Sequence, residues 1–586
     1  MAEPLVPSQL AFREGIPYSE TFRDVYHSAA GGLEQSRHVF LQGNGLPERW
    51  AGRERFVILE TGFGLGLNFL ATLQAWRRDP RRCGRLHFVS IEKHPYSLQD
   101  LRTLHAQYPE LRDESAALHS VWPVLVSGGH RAELDSGRVV LTLFFSDVKV
   151  LRDLRVAADA FYLDGFAPQK NPDMWSPQTL RALSRLAAPG ATAATWSVAG
   201  NVRGALQETG FAVEKKAGFG SKREMLVARF TRQGTEVLSS KSRSATVVGA
   251  GLAGAALCER LCARGWEVTL VERHAEPASE ASGNLAGAFH PIVTPDDSIF
   301  ARITRAGFLY GIRRWNSLEN ARWDQCGALQ LVRNEKEAAS QRAAIVALGL
   351  PPDYAQLVTR EEASAHAGVP VAAGGLWFPQ AGWIQPRSLV RAQLDACGNR
   401  LKMLFGKEFS FHEHPGVIIF GTAGDSLKRI PHARLRRVRG QLTYIPEESL
   451  DPPHVVVLRG GMVLPPVEGR CVVGASFDID DEDPAPRTES DAGNLERLSR
   501  ILDEKIEPGH VQNRVAFRTV VPDRLPIAGR IEGDAWSLLA LGSRGLIWSA
   551  LCAELIASQL EGEPLPLEGK LVDALAPARF ARRAAR

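Results

Sequence analysis

The sequence predicts an α/β protein made of two successive nucleotide-binding units, each built on a parallel sheet covered by helices. Three observations carry this. Two glycine-rich loops, "ETGFGLGLNF" at 60–69 and "TVVGAGLAGAAL" at 246–257, each follow an apolar run and precede a helix-like stretch. Ahead of the second loop, strand-like runs alternate with helical segments, the pattern of a doubly wound sheet. Between the loops lies "TRQGTEVLSSKSRSA" at 231–245, a polar segment with linker composition and no hydrophobic periodicity. At 586 residues the chain is too long for one core. The expected organisation is a first unit at 1–235, a linker at 236–245 and a second unit at 246–586.

In order along the first unit, the runs "RFVILE", "RLHFVSIE", "VVLTLFF", "AFYLDGF" and "ATAATWS" are the expected strands. The first ends in Glu60 and delivers the chain to Gly62, Gly64 and Gly66. Glycine there lets the backbone turn sharply and approach a ligand. The second run ends in Glu92, placed to hold ribose hydroxyls. The third leads to Asp147 and the fourth to Asp164. This spacing resembles class I S-adenosylmethionine-dependent methyltransferases. It implies that Glu60, Gly62, Gly64 and Gly66 serve the methionine part of that cofactor, Glu92 the ribose, Asp147 the adenine and Asp164 the acceptor side. A dinucleotide-binding Rossmann loop is the alternative, but such a loop reads G-x-G-x-x-G. One departure is Ser146, where the pattern has a glycine before the acid.

The second unit opens with the strand "ATVV", then Gly249, Gly251 and Gly254 in G-x-G-x-x-G spacing, a helix, and the strand "WEVTLVE" ending in Glu272, eighteen residues past Gly254. Strand, loop, helix, strand and acid together form the dinucleotide fingerprint. Helix N-terminal amides would bind pyrophosphate, and Glu272 would accept from a ribose hydroxyl. Near the C-terminus, "LALGSRGLIWSALCAELIA" at 538–556 and "RTVVPDRLPIAG" at 518–529 resemble flavoproteins of the D-amino-acid oxidase and glycine oxidase type. The resemblance implies FAD, an inserted mixed or antiparallel substrate sheet, and Arg518 as the clamp on a substrate carboxylate, a task suited to a bidentate guanidinium.

The order of the two units, with "ETGFGLGLNFL", "DGFAPQKNPDMW", "ASGN", "RGQ" and "LGSRGL", is similar to the bacterial family of bifunctional tRNA 5-methylaminomethyl-2-thiouridine biosynthesis proteins, over nearly the whole chain. The resemblance adds Ser282, Asn284, Gly542, Arg544, Gly545 and Leu546 to the FAD site. It implies oxidative removal of the carboxymethyl group from 5-carboxymethylaminomethyl-2-thiouridine at the wobble position, releasing glyoxylate, and then N-methylation of the exposed amine. Asp164 and Arg518 would be the catalytic residues. Ala286 and His290 stand where the family has Gly and Tyr. Two other classes fit parts of the pattern: an amine or amino-acid oxidase fused to a small-molecule methyltransferase, and a tRNA-binding module with inactive sites. The intact loops and acids speak against the second.

Composition is that of an ordinary globular protein, 44% hydrophobic and 23% charged, with a net charge of +4 that neither demands nor excludes a polyanion. Basic clusters stand at 77–85, 434–439 and 579–586. Seven scattered cysteines without a CxxC pair fit a reducing cytoplasm and no metal site. No apolar run is long enough for a membrane span, and the N-terminus lacks a secretory pattern. The expected partner is tRNA, with no membrane and no obligate protein partner.

Overall fold

The apolar runs of the first unit are strands because alternate residues feed two cores, one on each face of a sheet. On Arg55–Glu60 (β1), Phe56 and Ile58 enter one core while Val57 and Leu59 enter the other. A computed structural model describes residues 4–235, 242–413, 416–423, 430 and 432–584, so most of the 236–245 linker lies outside the described residues. The chain divides into two units: Leu5–Ser239 with Leu560–Gly569, and Ser240–Gln559 with Lys570–Arg586 and Met1–Pro4.

In the first unit β1 is joined by Arg85–Glu92 (β2), Gly128–Leu134 (β3), Val139–Phe145 (β4), Ala158–Tyr162 (β5), Ala187–Thr195 (β6), Phe211–Ala217 (β7) and Glu224–Phe230 (β8). Their order is β7-β8-β6-β5-β1-β2-β4-β3. The five central strands, β6 through β4, run parallel, and β3, β7 and β8 are antiparallel additions at the edges. Strand order reverses at β1, so the ligand crevice of such a sheet opens at the C-terminal ends of β1, β2 and β5. The helix Leu67–Arg78 (α1) follows the glycine loop directly, with Gly66 in a left-handed conformation (φ +75°) as its N-cap. A Cβ at Gly66 would also stand 2.8 Å from the Phe63 ring.

The chain returns to this unit at 560–569. Glu563 is buried there, 3.3 Å from Arg85 Nε and 3.7 Å from His87 Nε2. The Arg131 guanidinium donates to Pro564 O, Leu565 N to Arg155 O, and Gly569 N to Asp153 O.

In the second unit, Ser244–Val248 (β9), Glu267–Glu272 (β10), Leu401–Phe405 (β11), Val417–Phe420 (β12), Ile527–Glu532 (β13) and Ala535–Leu539 (β14) form one sheet in the order β11-β10-β9-β12-β14-β13. All neighbours in it are parallel except β13 and β14. The helix Leu252–Cys262 (α2) is buried along its whole length, which explains its near-continuous apolar sequence. Between these strands, in two insertions, lies a nine-stranded sheet that is antiparallel but for one pair. Its longest pairing joins Arg436–Pro446 to Gln512–Val520 and sets Val438 opposite Arg518. The expected FAD-type Rossmann sheet with an inserted substrate sheet is the observed architecture.

Candidate active sites of the two units

In the first unit the acids predicted from the strand ends converge at the crevice, at different depths. Glu60 is wholly buried beneath the glycine loop. Its Oε1 accepts from Asn68 Nδ2 (2.9 Å) and its Oε2 from Ser90 Oγ (2.7 Å). Burial pushes its carboxyl well above the usual range. Asp164, two residues past β5, is partly exposed to the crevice. Its Oδ2 accepts from Asn68 Nδ2 (2.8 Å) and its Oδ1 from Gly165 N (2.8 Å). Burial raises this carboxyl to about 6, against the lowering effect of those donors and of the Trp196 side chain.

Glu92 spans the loop and its own strand end: Oε2 accepts from Gly64 N and Oε1 from His94 N, both at 2.7 Å. Asp147 lies further out, capping the turn at Val148–Arg152 and accepting from Lys93 Nζ (2.8 Å). Burial pushes its carboxyl up, but Lys93 and the Lys149 amide outweigh this and hold it below the ordinary value. The loop backbone is closely confined. A Cβ at Gly62 would stand 3.2 Å from Asp164 O, and one at Gly64 3.3 Å from the Tyr26 ring. Phe166, two residues past Asp164, stacks on Phe22 at 4.7 Å and meets Tyr26 edge-on at 5.0 Å.

The second unit repeats the acid arrangement. Glu272 Oε2 accepts from Ala250 N in the glycine loop (2.7 Å), and Oε1 from His274 N (2.9 Å). A side chain at Gly254 is impossible, since its Cβ would stand 1.7 Å from Gly249 O; this close approach sets α2 directly against the loop. Gly249, Gly251, Glu272, Ser282 and Asn284 line one end of a cavity of about 1040 Å³. Ser282 Oγ accepts from Leu252 N at the start of α2 (3.0 Å), and Asn284 Oδ1 is buried without a hydrogen-bond partner. Gly542, Arg544, Gly545 and Leu546 line the same cavity at the start of the helix Gly545–Glu561. The glycine cradle, the unsatisfied Asn284 oxygen and the cavity's size fit a flavin dinucleotide.

Arg518 lies in that cavity. Its Nη1 donates to Ser543 Oγ (3.0 Å) and its Nη2 to Ser476 O (3.2 Å), both neutral oxygens. Its guanidinium lies over Gly440, where a Cβ would stand 2.0 Å from Nη2. This explains the "RGQ" segment. Arg439 and Gln441 brace their strand against 478–487 through Arg439 to Asp478 (3.2 Å), Arg439 to Ala485 O (2.6 Å) and Gln441 Nε2 to Arg487 O (2.8 Å). The glycine between them clears space for Arg518. Arg544 packs over the Phe300 ring at 5.8 Å, and burial lowers its guanidinium to about 10. His290 is held neutral, its pKa lowered to about 3 by burial first and then by Arg544; its Nδ1 lies 2.9 Å from Pro291 O. Ala286 is fully buried in the cavity wall. Asn68, Ser90, Gly440, Ser476 and Ser543 had no assigned part in the sequence reading. Asn68, Ser90, Gly440 and Ser543 lay in segments already singled out, and Ser476 did not.

Fold and sites together define a methyltransferase unit followed by a flavin-dependent amine-oxidising unit. Residues 244–559 match the FAD dependent oxidoreductase family, and residues 109–231 match the S-adenosyl-L-methionine-dependent methyltransferase family. The tRNA 5-methylaminomethyl-2-thiouridine biosynthesis bifunctional protein MnmC of Paraburkholderia phytofirmans is 46% identical, with 100% of this chain and 99% of that one covered. The protein of the same name from Azoarcus sp. is 45% identical over the same shares. Glycine oxidase from Bacillus cereus covers 54% of this chain and 97% of its own, at 16% identity and a TM-score of 0.46. The chain belongs to the family of bifunctional tRNA 5-methylaminomethyl-2-thiouridine biosynthesis proteins.

Proposed function

We propose that the two units act in turn on one wobble uridine of tRNA in the cytoplasm. The second unit removes the carboxymethyl group from 5-carboxymethylaminomethyl-2-thiouridine, and the first unit methylates the amine left behind. Bound FAD supplies the oxidant in the 1040 Å³ cavity, and bound S-adenosylmethionine supplies the methyl group.

The observation that carries this reading is Arg518, a half-buried guanidinium whose hydrogen bonds go to neutral oxygens inside a flavin-sized cavity. A carboxylate entering there gains a charge-assisted pair, which fixes the carbon to be oxidised at one end. Neutral His290 in the same wall adds no competing positive charge.

At the other site the product is a primary alkylamine, with an ordinary pKa of about 10. It must shed a proton before its lone pair can attack a methyl group. Asp164, at about 6, is ionised at neutral pH and can hold the amine by its N–H. Its raised value also narrows the gap to the amine, making it a better proton acceptor than an exposed aspartate. Phe22, Tyr26 and Phe166 form an aromatic cluster beside that carboxylate.

Anaerobic flavin reduction tests the substrate class. tRNA bearing the carboxymethylaminomethyl group should bleach the flavin rapidly, and free glycine or sarcosine should do so slowly or not at all. The reverse ranking would make this a small-molecule oxidase.

A further inference from the structure

The side chain between the two carboxylates of the first site has no role in the reading above. Asn68 sits in the first turn of α1, 6% exposed. Its Nδ2 donates to Glu60 Oε1 at 2.9 Å and to Asp164 Oδ2 at 2.8 Å. A primary amide has two N–H bonds, so both are committed. The orientation of the amide is also determined, because a flipped Asn68 would turn its oxygen toward two carboxyl groups. Its main chain is held in turn, with Thr72 Oγ1 donating to Asn68 O at 2.6 Å.

We propose that Asn68 is the positioning residue of methyl transfer: braced by Glu60, its amide holds Asp164 in the ionised form and in one orientation toward the acceptor amine. This rests on the reading of Asp164 as the acceptor-side carboxylate.

The geometry leaves Asp164 little freedom. Asn68 takes one oxygen and the Gly165 amide the other, which fixes the carboxylate plane. An ionised carboxylate offers about four lone-pair sites. Asn68 and Gly165 use two and the Trp196 side chain approaches a third, which leaves room for the amine. Glu60 suits the bracing role because both its oxygens are engaged, by Asn68 and by Ser90. Burial pushes its carboxyl well above the usual range.

The other groups facing Asp164 divide by sign. Glu92 on β2 raises its pKa, whereas the Gly165 amide and the Trp196 side chain beyond β6 lower it. Lys222 is positioned over the Trp196 ring, 4.8 Å from its centroid. Asn68 is the largest of the lowering contributions. Without it, burial and Glu92 dominate and the carboxyl stays protonated to higher pH.

The test is the pH profile of single-turnover methyl transfer, with saturating S-adenosylmethionine and tRNA carrying 5-aminomethyl-2-thiouridine. The full-length Asn68→Ala protein is compared with wild type. Wild type should show an acid limb near pH 6. In Asn68→Ala the limb should move up by about one unit, leaving the rate about fivefold lower at pH 6 and within about threefold at pH 9. Calorimetric affinity for S-adenosylmethionine should change less than about threefold. Asn68→Ser, which keeps one short donor, covers the case in which the alanine variant folds poorly. It should shift the limb in the same direction by less.

A loss of rate equal at every pH, an unmoved limb, or a collapse of cofactor affinity would each overturn the proposal. Asp164→Asn, run alongside, separates the two levels of the claim. If Asp164→Asn abolishes transfer while the Asn68 variants keep the wild-type limb, the positioning role alone fails. If Asp164→Asn transfers normally, the acceptor-side reading fails with it.

Discussion

Gly440→Ala is the perturbation that most sharply separates clamp from scaffold. The added methyl group would stand 2.0 Å from Arg518 Nη2 and 2.8 Å from its Cζ. An ordinary contact of this kind is at least about 3.4 Å, so the guanidinium must retreat by roughly 1.4 Å. The far end of a long side chain moves cheaply, so the protein should stay folded. Arg439 and Gln441, which brace the strand, are untouched. The substrate carboxylate would then be held in the wrong place, and a misplacement of about 1 Å costs about 10²-fold in rate. Arg518→Ala removes the clamp altogether, at a cost on the order of 2–5 kcal/mol. The assay is stopped-flow flavin reduction by carboxymethylaminomethyl tRNA without oxygen. Both variants should remain yellow with wild-type flavin content, and Gly440→Ala should lose about two orders of magnitude in reduction rate. A wild-type rate in Gly440→Ala, or a full rate in Arg518→Ala, would refute the clamp.

Three other outcomes follow from the same geometry. Asp164→Asn should bind S-adenosylmethionine nearly normally in calorimetry and lose methyl transfer by roughly 10²–10⁴-fold, with oxidation unchanged. Glu563→Ala leaves Arg85 and His87 without their buried carboxylate and should destabilise the first unit by about 3 kcal/mol, seen as a lower melting transition for that unit with flavin absorbance intact. His105 is buried with a pKa lowered to about 4, one ring nitrogen 2.7 Å from Leu65 O in the glycine loop and the other 2.9 Å from His119. The unfolded chain takes up its proton near pH 6.5 and the folded chain only near 4, so this histidine's contribution is full above 6.5 and lost toward 4. The stability gap between wild type and His105→Gln should therefore shrink by on the order of 3 kcal/mol across that window in denaturant titrations.

The parallel strands of the first unit were legible because most of their residues are buried on both faces; β4 is buried at every position, and β6 is exposed only near its start, at Pro189. The edge strands were not. In β7, "FAVEKKA", only Phe211 is buried, so the segment carries no strand signal until β8 pairs with it. The glycine loops and their acids were legible because steric demand at Gly66 and Gly254 leaves a mark in composition. The return of 560–569 to the first unit was hidden. "LEGEPLPLEG" has no periodicity, and Glu563 has its partners on strands far away in sequence. Asn68 was hidden for a similar reason. An asparagine in a first helical turn is unremarkable until Glu60 and Asp164 are brought to either side of it. In "RGQ" the pattern was visible but its cause was not, since the space reserved at Gly440 is for a side chain 78 residues on.

The measurement closest to the central claim is a nucleoside time course by mass spectrometry. Purified protein is incubated with tRNA carrying 5-carboxymethylaminomethyl-2-thiouridine, with and without S-adenosylmethionine. Without the methyl donor, 5-aminomethyl-2-thiouridine should accumulate with an equal amount of glyoxylate. With it, that nucleoside should rise first and give way to 5-methylaminomethyl-2-thiouridine, and Asp164→Asn should stop at the first product. An unchanged wobble nucleoside, or a methylated product formed with no glyoxylate released, would contradict the account.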